Sequence, residues 1–198
     1  MRKRLFCALV LALCLILQAG CGRKEKMSDV SQLVFAKDGS LQAISIETFD
    51  REYYSEKELA SVIREAVSAH GQGVKQESFS VKNGEARLKM HYASADDYAR
   101  FNDTVIYYGT VAGARGAGYD LSSVMGSVSL KDSSHLLNNA ALEAAADNPV
   151  IYLTEPGEIE FAQEVLFANG QVEVMEENRA WIPASVSEDE PAILILNK

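Results

Sequence analysis

Beyond residue 21 the sequence holds no cysteine. Its three cysteines are Cys7, Cys14 and Cys21. The rest of the chain therefore has no internal disulfide, no thiolate metal site and no cysteine nucleophile. Histidine is almost as scarce. His70, His91 and His135 are the whole set, and none lies in H-E-x-x-H or another metal-ligand spacing. No G-x-S-x-G elbow occurs. Ser187-Glu188-Asp189-Glu190 lacks the D-x-D-x-D-G order of a calcium loop. There is no internal repeat and no low-complexity segment. No catalytic, cofactor-binding or metal site is expected from these residues.

A long apolar run is also missing. The longest, Leu5 to Leu17, has thirteen residues. As a helix it would reach about 20 Å, short of the roughly 30 Å hydrocarbon core. Arg2, Lys3 and Arg4 precede it, and the small residues Ala19 and Gly20 follow it. Those flanks fit an export signal rather than a permanent span. Leu17-Gln18-Ala19-Gly20-Cys21 resembles a bacterial lipoprotein signal, departing at Gln18, where an aliphatic residue is usual. The resemblance implies cleavage before Cys21. It also implies a thioether-linked diacylglycerol on that cysteine, often with an N-acyl chain such as palmitate. Two or three chains attach a protein stably where one does not.

Three parts are expected: residues 1–20 as signal peptide, 21–30 as a lipidated tether, and 31–198 as one extracytoplasmic domain. Arg23, Lys24 and Lys26 stand in the tether, where each adds about 1 kcal/mol beside an anionic surface. Removing residues 1–20 from 198 leaves 178, enough to bury a core. The signal carries three of 19 basic residues and none of 28 acidic ones, so the mature chain holds 16 against 28, a net charge of −12. Nucleic acid should repel such a chain, and no basic stripe offsets this.

Turn chemistry organises the remainder. Asp38-Gly39, Asn83-Gly84 and Asn169-Gly170 each separate two apolar-rich runs. Such pairs predict hairpins with positive φ at both turn residues. Ser55 and Glu58 form a capping box ahead of Leu59, Val62, Ile63, Ala66 and Val67, with Gly71 as the stop. Ser94 and Asp97 cap a shorter helix carrying Tyr98 and Phe101. A third helix is expected around Asn138–Ala146, ended by Asn148-Pro149. Strands are expected at Val150–Leu153, Ile159–Phe161, Val165–Ala168, Val172–Met175, Ala180–Ile182 and Ala192–Leu196. The class is α+β: a mainly antiparallel sheet built from hairpins, with two or three short helices packed on it. Residues 121–135 are not placed.

Four glycines at 109, 113, 116 and 118 follow the apolar run at Val105–Tyr108. A Walker loop counted from Gly109 needs glycine at 114, which is alanine, and then lysine. Gly113, Gly116 and Gly118 reverse the dinucleotide spacing. Thr110 can instead cap a short helix from Val111 to Ala117, with Gly118 in the left-handed position after it. Gly113 and Gly116 cost about 1 kcal/mol each inside a helix. That argues for a packing reason, or for a loop.

Other candidates are weaker. Asp96/Asp97 and Glu158/Glu160 are carboxylate pairs, and the second would project from one strand face. With 28 acidic residues such pairs arise by chance. Tyr53/Tyr54, Tyr107/Tyr108 and Trp181 are the material of an aromatic platform. On strands, however, one of each tyrosine pair points inward. FDREYYSEKELASVIREAV, YASADDYARFN with YYGTVAGARGAGYD, and EVLFANGQVEV resemble a group of uncharacterised lipoproteins of Firmicutes-type anaerobes. No activity is assigned to that group. The resemblance implies a membrane-tethered extracytoplasmic domain and carries over no catalytic residue. The leading expectation is a non-catalytic binding domain of the cell envelope, held by lipid on Cys21, with an envelope protein or small ligand as partner. The alternatives are a small-solute receptor and, behind it, an envelope hydrolase using carboxylates or His91.

Overall fold

A computed structural model describes residues 30–51 and 53–198. The signal, Cys21 and most of the tether lie outside the described residues. Among these residues eleven strands form two sheets. The larger has seven strands in the order β3-β4-β2-β1-β7-β10-β9. These are β1 (Gln32–Phe35), β2 (Leu41–Thr48), β3 (Val74–Lys82), β4 (Glu85–Tyr92), β7 (Gly157–Phe161), β9 (Glu173–Glu176) and β10 (Arg179–Ile182). The smaller runs β5-β6-β11-β8, from β5 (Ile106–Thr110), β6 (Pro149–Leu153), β8 (Val165–Ala168) and β11 (Ala192–Leu196). Every pairing is antiparallel except β1 with β7. The α+β class holds, with the strands divided between two sheets rather than gathered in one.

Strand alternation explains how the sheets stack. On β4, Ala86, Met90 and Tyr92 are buried while Arg87, Lys89 and His91 turn to the other face. The inward face of the larger sheet meets one face of the smaller: Leu33, Phe35, Leu41, Met90, Ile159 and Ile182 pack in one core with Ile151, Leu153, Ala192 and Leu194. The other face of the smaller sheet, with Val150, Tyr152, Ile193 and Ile195, packs with Val111, Val124 and Leu142 in a second core. β6 and β11 therefore feed both cores with alternate residues, which is why all of Ala192–Leu196 is buried.

Four α-helices occur among the described residues: α1 (Glu56–His70), α2 (Ala95–Asn102), α3 (Val111–Gly116) and α4 (Asn139–Ala144). Each is capped by the residue its sequence offers. The side chains of Ser55, Ser94, Thr110 and Asn138 accept from the backbone N–H of Glu58, Asp97, Gly113 and Ala141. The glycine-rich stretch is thus a helix, and Gly118 follows it at φ 90°. Gly113 has its packing reason, since a Cβ there would strike the Tyr107 hydroxyl. Gly116 faces open space, and nothing in the structure explains it. The unplaced region contains a 3₁₀ turn at Ser122–Val124 and a bridge between Val128 and Leu136.

Two turn expectations need correction. Only Asn83-Gly84 has positive φ at both residues, 54° and 75°. At Asp38-Gly39 only Gly39 does, at 91°. The Asp38 carboxylate there accepts from the N–H and the hydroxyl of Ser40, so the link is a longer turn. Asn169-Gly170 makes no hairpin at all. β8 pairs with β11 and β9 with β10, so this link passes from one sheet to the other. Its asparagine is buried for another reason. The Asn169 side chain accepts from Ile193 N–H at 3.0 Å and donates to the Pro191 carbonyl at 2.7 Å and the Ser123 hydroxyl at 3.0 Å.

Candidate functional site

Most polar groups singled out in the sequence are occupied within the fold. His70, in the last turn of α1, faces Asp97 at 3.4 Å. Asp97 is buried. It also accepts from the Ser94 hydroxyl at 2.8 Å and from Arg100 at 2.5 Å. Burial pushes its carboxyl up, but those three partners outweigh it and hold the pKa below the ordinary value. Serine and histidine both bond the carboxylate rather than each other, so this is a clasp between α1 and α2, not a nucleophile–base pair. His91 lies half-buried on the outer face of β4. His135 stands in an exposed loop, 2.7 Å from Asp132. Among the described residues no group of three or more His, Cys, Asp and Glu side chains is placed to hold a metal.

The carboxylate pair Glu158 and Glu160 does share the outer face of β7. Glu158, however, is buried against the guanidinium of Arg179 on β10. The tyrosines divide. Tyr108 points inward onto Phe35, with ring centroids 5.3 Å apart. Tyr107 takes the other face in a row with Tyr119 and Tyr152. Tyr53 and Tyr54 contradict the strand rule, because they stand on the turn before α1. Tyr53 is 78% exposed and Tyr54 37%. Trp181 lies half-buried on the outer face of β10.

Two carboxyls that sequence reading passed over have raised pKa values. Glu47 lies at an inward position of β2, opposite buried Ala86, and burial raises it to about 7. Glu155 is raised by burial too, although hydrogen bonds from Tyr98 and Thr104 pull it back. The Tyr98 hydroxyl donates to it at 2.7 Å. Beside it burial pushes the Tyr92 hydroxyl up to about 12. Glu155 is far from its neighbours in sequence, so only a hydrophilic residue before Pro156 was visible.

The other missed feature is apolar. Val128, Leu130, Leu136 and Met175 are between 42% and 55% exposed. Val128 bridges Leu136, and Leu130 donates its N–H to the Leu166 carbonyl on β8. Leu130 and Met175 line one open groove of about 300 Å³, between β8 and the edge strand β9. Glu176, Glu177 and the Lys131–Glu164 ion pair form its polar border. Two large exposed aliphatics, Leu130 and Met175, thus share a groove with a polar border. Leu130 and Leu136 lie in or beside the unplaced stretch, and Met175 is 45 and 39 residues further along the chain, so no local pattern announced the group. No helix among the described residues is long and apolar enough to cross a membrane. Comparison with protein-family models, with curated proteins and with solved structures finds no match to this chain.

Proposed function

We propose that this chain is a lipoprotein held on the extracytoplasmic face of the cell membrane through Cys21. Its folded part is a non-catalytic domain that binds an envelope protein. The exposed aliphatic group Val128, Leu130, Leu136 and Met175 carries the binding half of this reading. The carboxyls with raised pKa, Glu47 and Glu155, do not line the groove beside it. An apolar surface apart from the perturbed acids favours association over hydrolysis. The signal-like segment ending at Cys21 carries the anchoring half, and the resemblance to envelope lipoproteins agrees with it.

Photo-crosslinking on cells tests the binding half. A crosslinker at position 130 should give a discrete adduct that Met175→Glu removes. A matched probe at the exposed Asp147 should not give it. The same adducts from both positions would contradict the groove as the contact. Thermal unfolding against sugars, peptides, nucleotides and metals tests the small-solute alternative. A ligand at 100 times Kd stabilises by about 2.7 kcal/mol, or roughly 5–10 °C for a domain of this size. The proposal expects no such shift.

A further inference from the structure

We propose that one end of the domain rests on the lipid surface, with Phe49, Tyr53 and Tyr54 at headgroup level. This rests on the anchoring of Cys21 proposed above. The tether reaches the fold at a defined place. The Ser31 hydroxyl oxygen accepts from Ile46 N–H at 2.9 Å, and its O–H donates to the Ile46 carbonyl at 3.3 Å. β1 therefore starts beside the last residues of β2. Phe49 follows at once, its N–H bonded at 2.7 Å to the Gly84 carbonyl in the β3–β4 turn. The Phe49 and Tyr54 rings lie 4.9 Å apart, and so do those of Tyr54 and Tyr53. Three rings in contact thus stand at the end where the chain comes in, the outermost, Tyr53, largely exposed.

Chain length limits how far this end can stand from lipid. Residues 22–30 are nine in number, and nine extended residues reach about 30 Å at most. Arg23, Lys24 and Lys26 draw the tether down onto an anionic surface and shorten that reach. Charge opposes contact only weakly here. Residues 47–58 and 82–87 hold six acidic and four basic residues between them. The chain also leaves β10 at this end, since Ile182 lies opposite Gly157. It runs on to Glu188-Asp189-Glu190. β10 is three strand positions from β2, about 14 Å at the usual spacing. Repulsion on that side tilts the domain so that the β2–β4 corner makes the contact. Tyrosine suits this depth, with an apolar ring and a hydroxyl that stays wet.

The test uses the full lipidated chain on vesicles of three parts phosphatidylcholine to one part phosphatidylglycerol. Cys21 is acylated, so one new cysteine takes a fluorophore selectively. Lys82→Cys places it at the β3–β4 turn, whose Gly84 carbonyl bonds Phe49 N–H. Lys37→Cys places it in the β1–β2 turn at the far end, with the same loss of charge. Nitroxide lipids labelled at the headgroup should quench the dye at 82 at least twofold more than the dye at 37. Tyr53→Ser with Tyr54→Ser should bring residue 82 down to the level of 37. Equal quenching at 82 and 37 on vesicles that carry the protein in flotation would overturn the proposal and leave the anchor standing. A difference that survives the double serine change would overturn the role of the rings. A chain that does not float overturns the anchor and this proposal with it.

Discussion

Glu47 shows how one side chain can set a pH response. Its carboxyl titrates at about 7 in the fold because burial disfavours its charged form. An unfolded glutamate titrates near 4.3. Below that value both states are protonated and the residue has no effect. Between that value and about 7 the unfolded chain has lost the proton that the fold still keeps, so stability falls across this window and stays low above it. Glu47→Gln should therefore raise the unfolding midpoint at pH 8 and leave it nearly unchanged at pH 4. The gain should be on the order of 1 kcal/mol, since solvent screens a half-exposed group. Asp97 works in the opposite sense. Its folded pKa is depressed, so its contribution is present at neutral pH and is lost as pH falls through that value, below 3.8. Asp97→Asn should cost about 1–3 kcal/mol at pH 7, as expected for a buried hydrogen-bonded charge. Urea titration at pH 7 and pH 3 would measure it, and the cost should shrink at pH 3. The cap formed by Ser94 with Asp97 was legible from spacing. The approach of His70 was not, because it comes from another helix 27 residues away.

Elements capped by their own neighbours are the ones the sequence discloses. All four helix starts are set within four residues, and so is the turn at Asn83-Gly84. Pairing between distant strands leaves no local mark, which is why the same dipeptide misled at Asn169-Gly170. The two asparagines now make a matched test. Asn83 matters through its backbone, at φ 54°, so Asn83→Gly should be tolerated. Asn169 matters through its side chain, which serves three partners. Asn169→Gly should cost about 2–3 kcal/mol, because it leaves a buried N–H and carbonyl without partners. Equal costs at the two sites, read by denaturant midpoint, would contradict this division. Helix α3 offers a similar contrast. Gly113→Ala meets Tyr107 and should destabilise. Gly116→Ala meets nothing and should stabilise by about 1 kcal/mol through helix propensity.

Across the whole molecule, β6 and β11 face the larger sheet on one side and the helical layer on the other, and two groups of large hydrophobics stand exposed. Tyr53 and Tyr54 stand where the tether comes in. Leu130 and Met175 stand at β9, the edge of the seven-stranded sheet away from β3, and Val128 and Leu136 bridge each other in the segment that carries Leu130. We propose the first place for the membrane and the second for a partner. Strand positions were legible from alternation, but the surface groups were not, since each gathers residues from segments that only folding brings together. Leu130→Asp should leave the unfolding midpoint within about 0.5 kcal/mol of the parent, as for other exposed positions, while weakening crosslinking at the groove. Intact mass of the protein extracted from its native membrane decides whether the domain is anchored. A chain of residues 21–198 carrying a diacylglyceryl group, with or without a further acyl chain, on Cys21 is expected. A chain still beginning at Met1, or one cut before an unmodified Cys21, would contradict it.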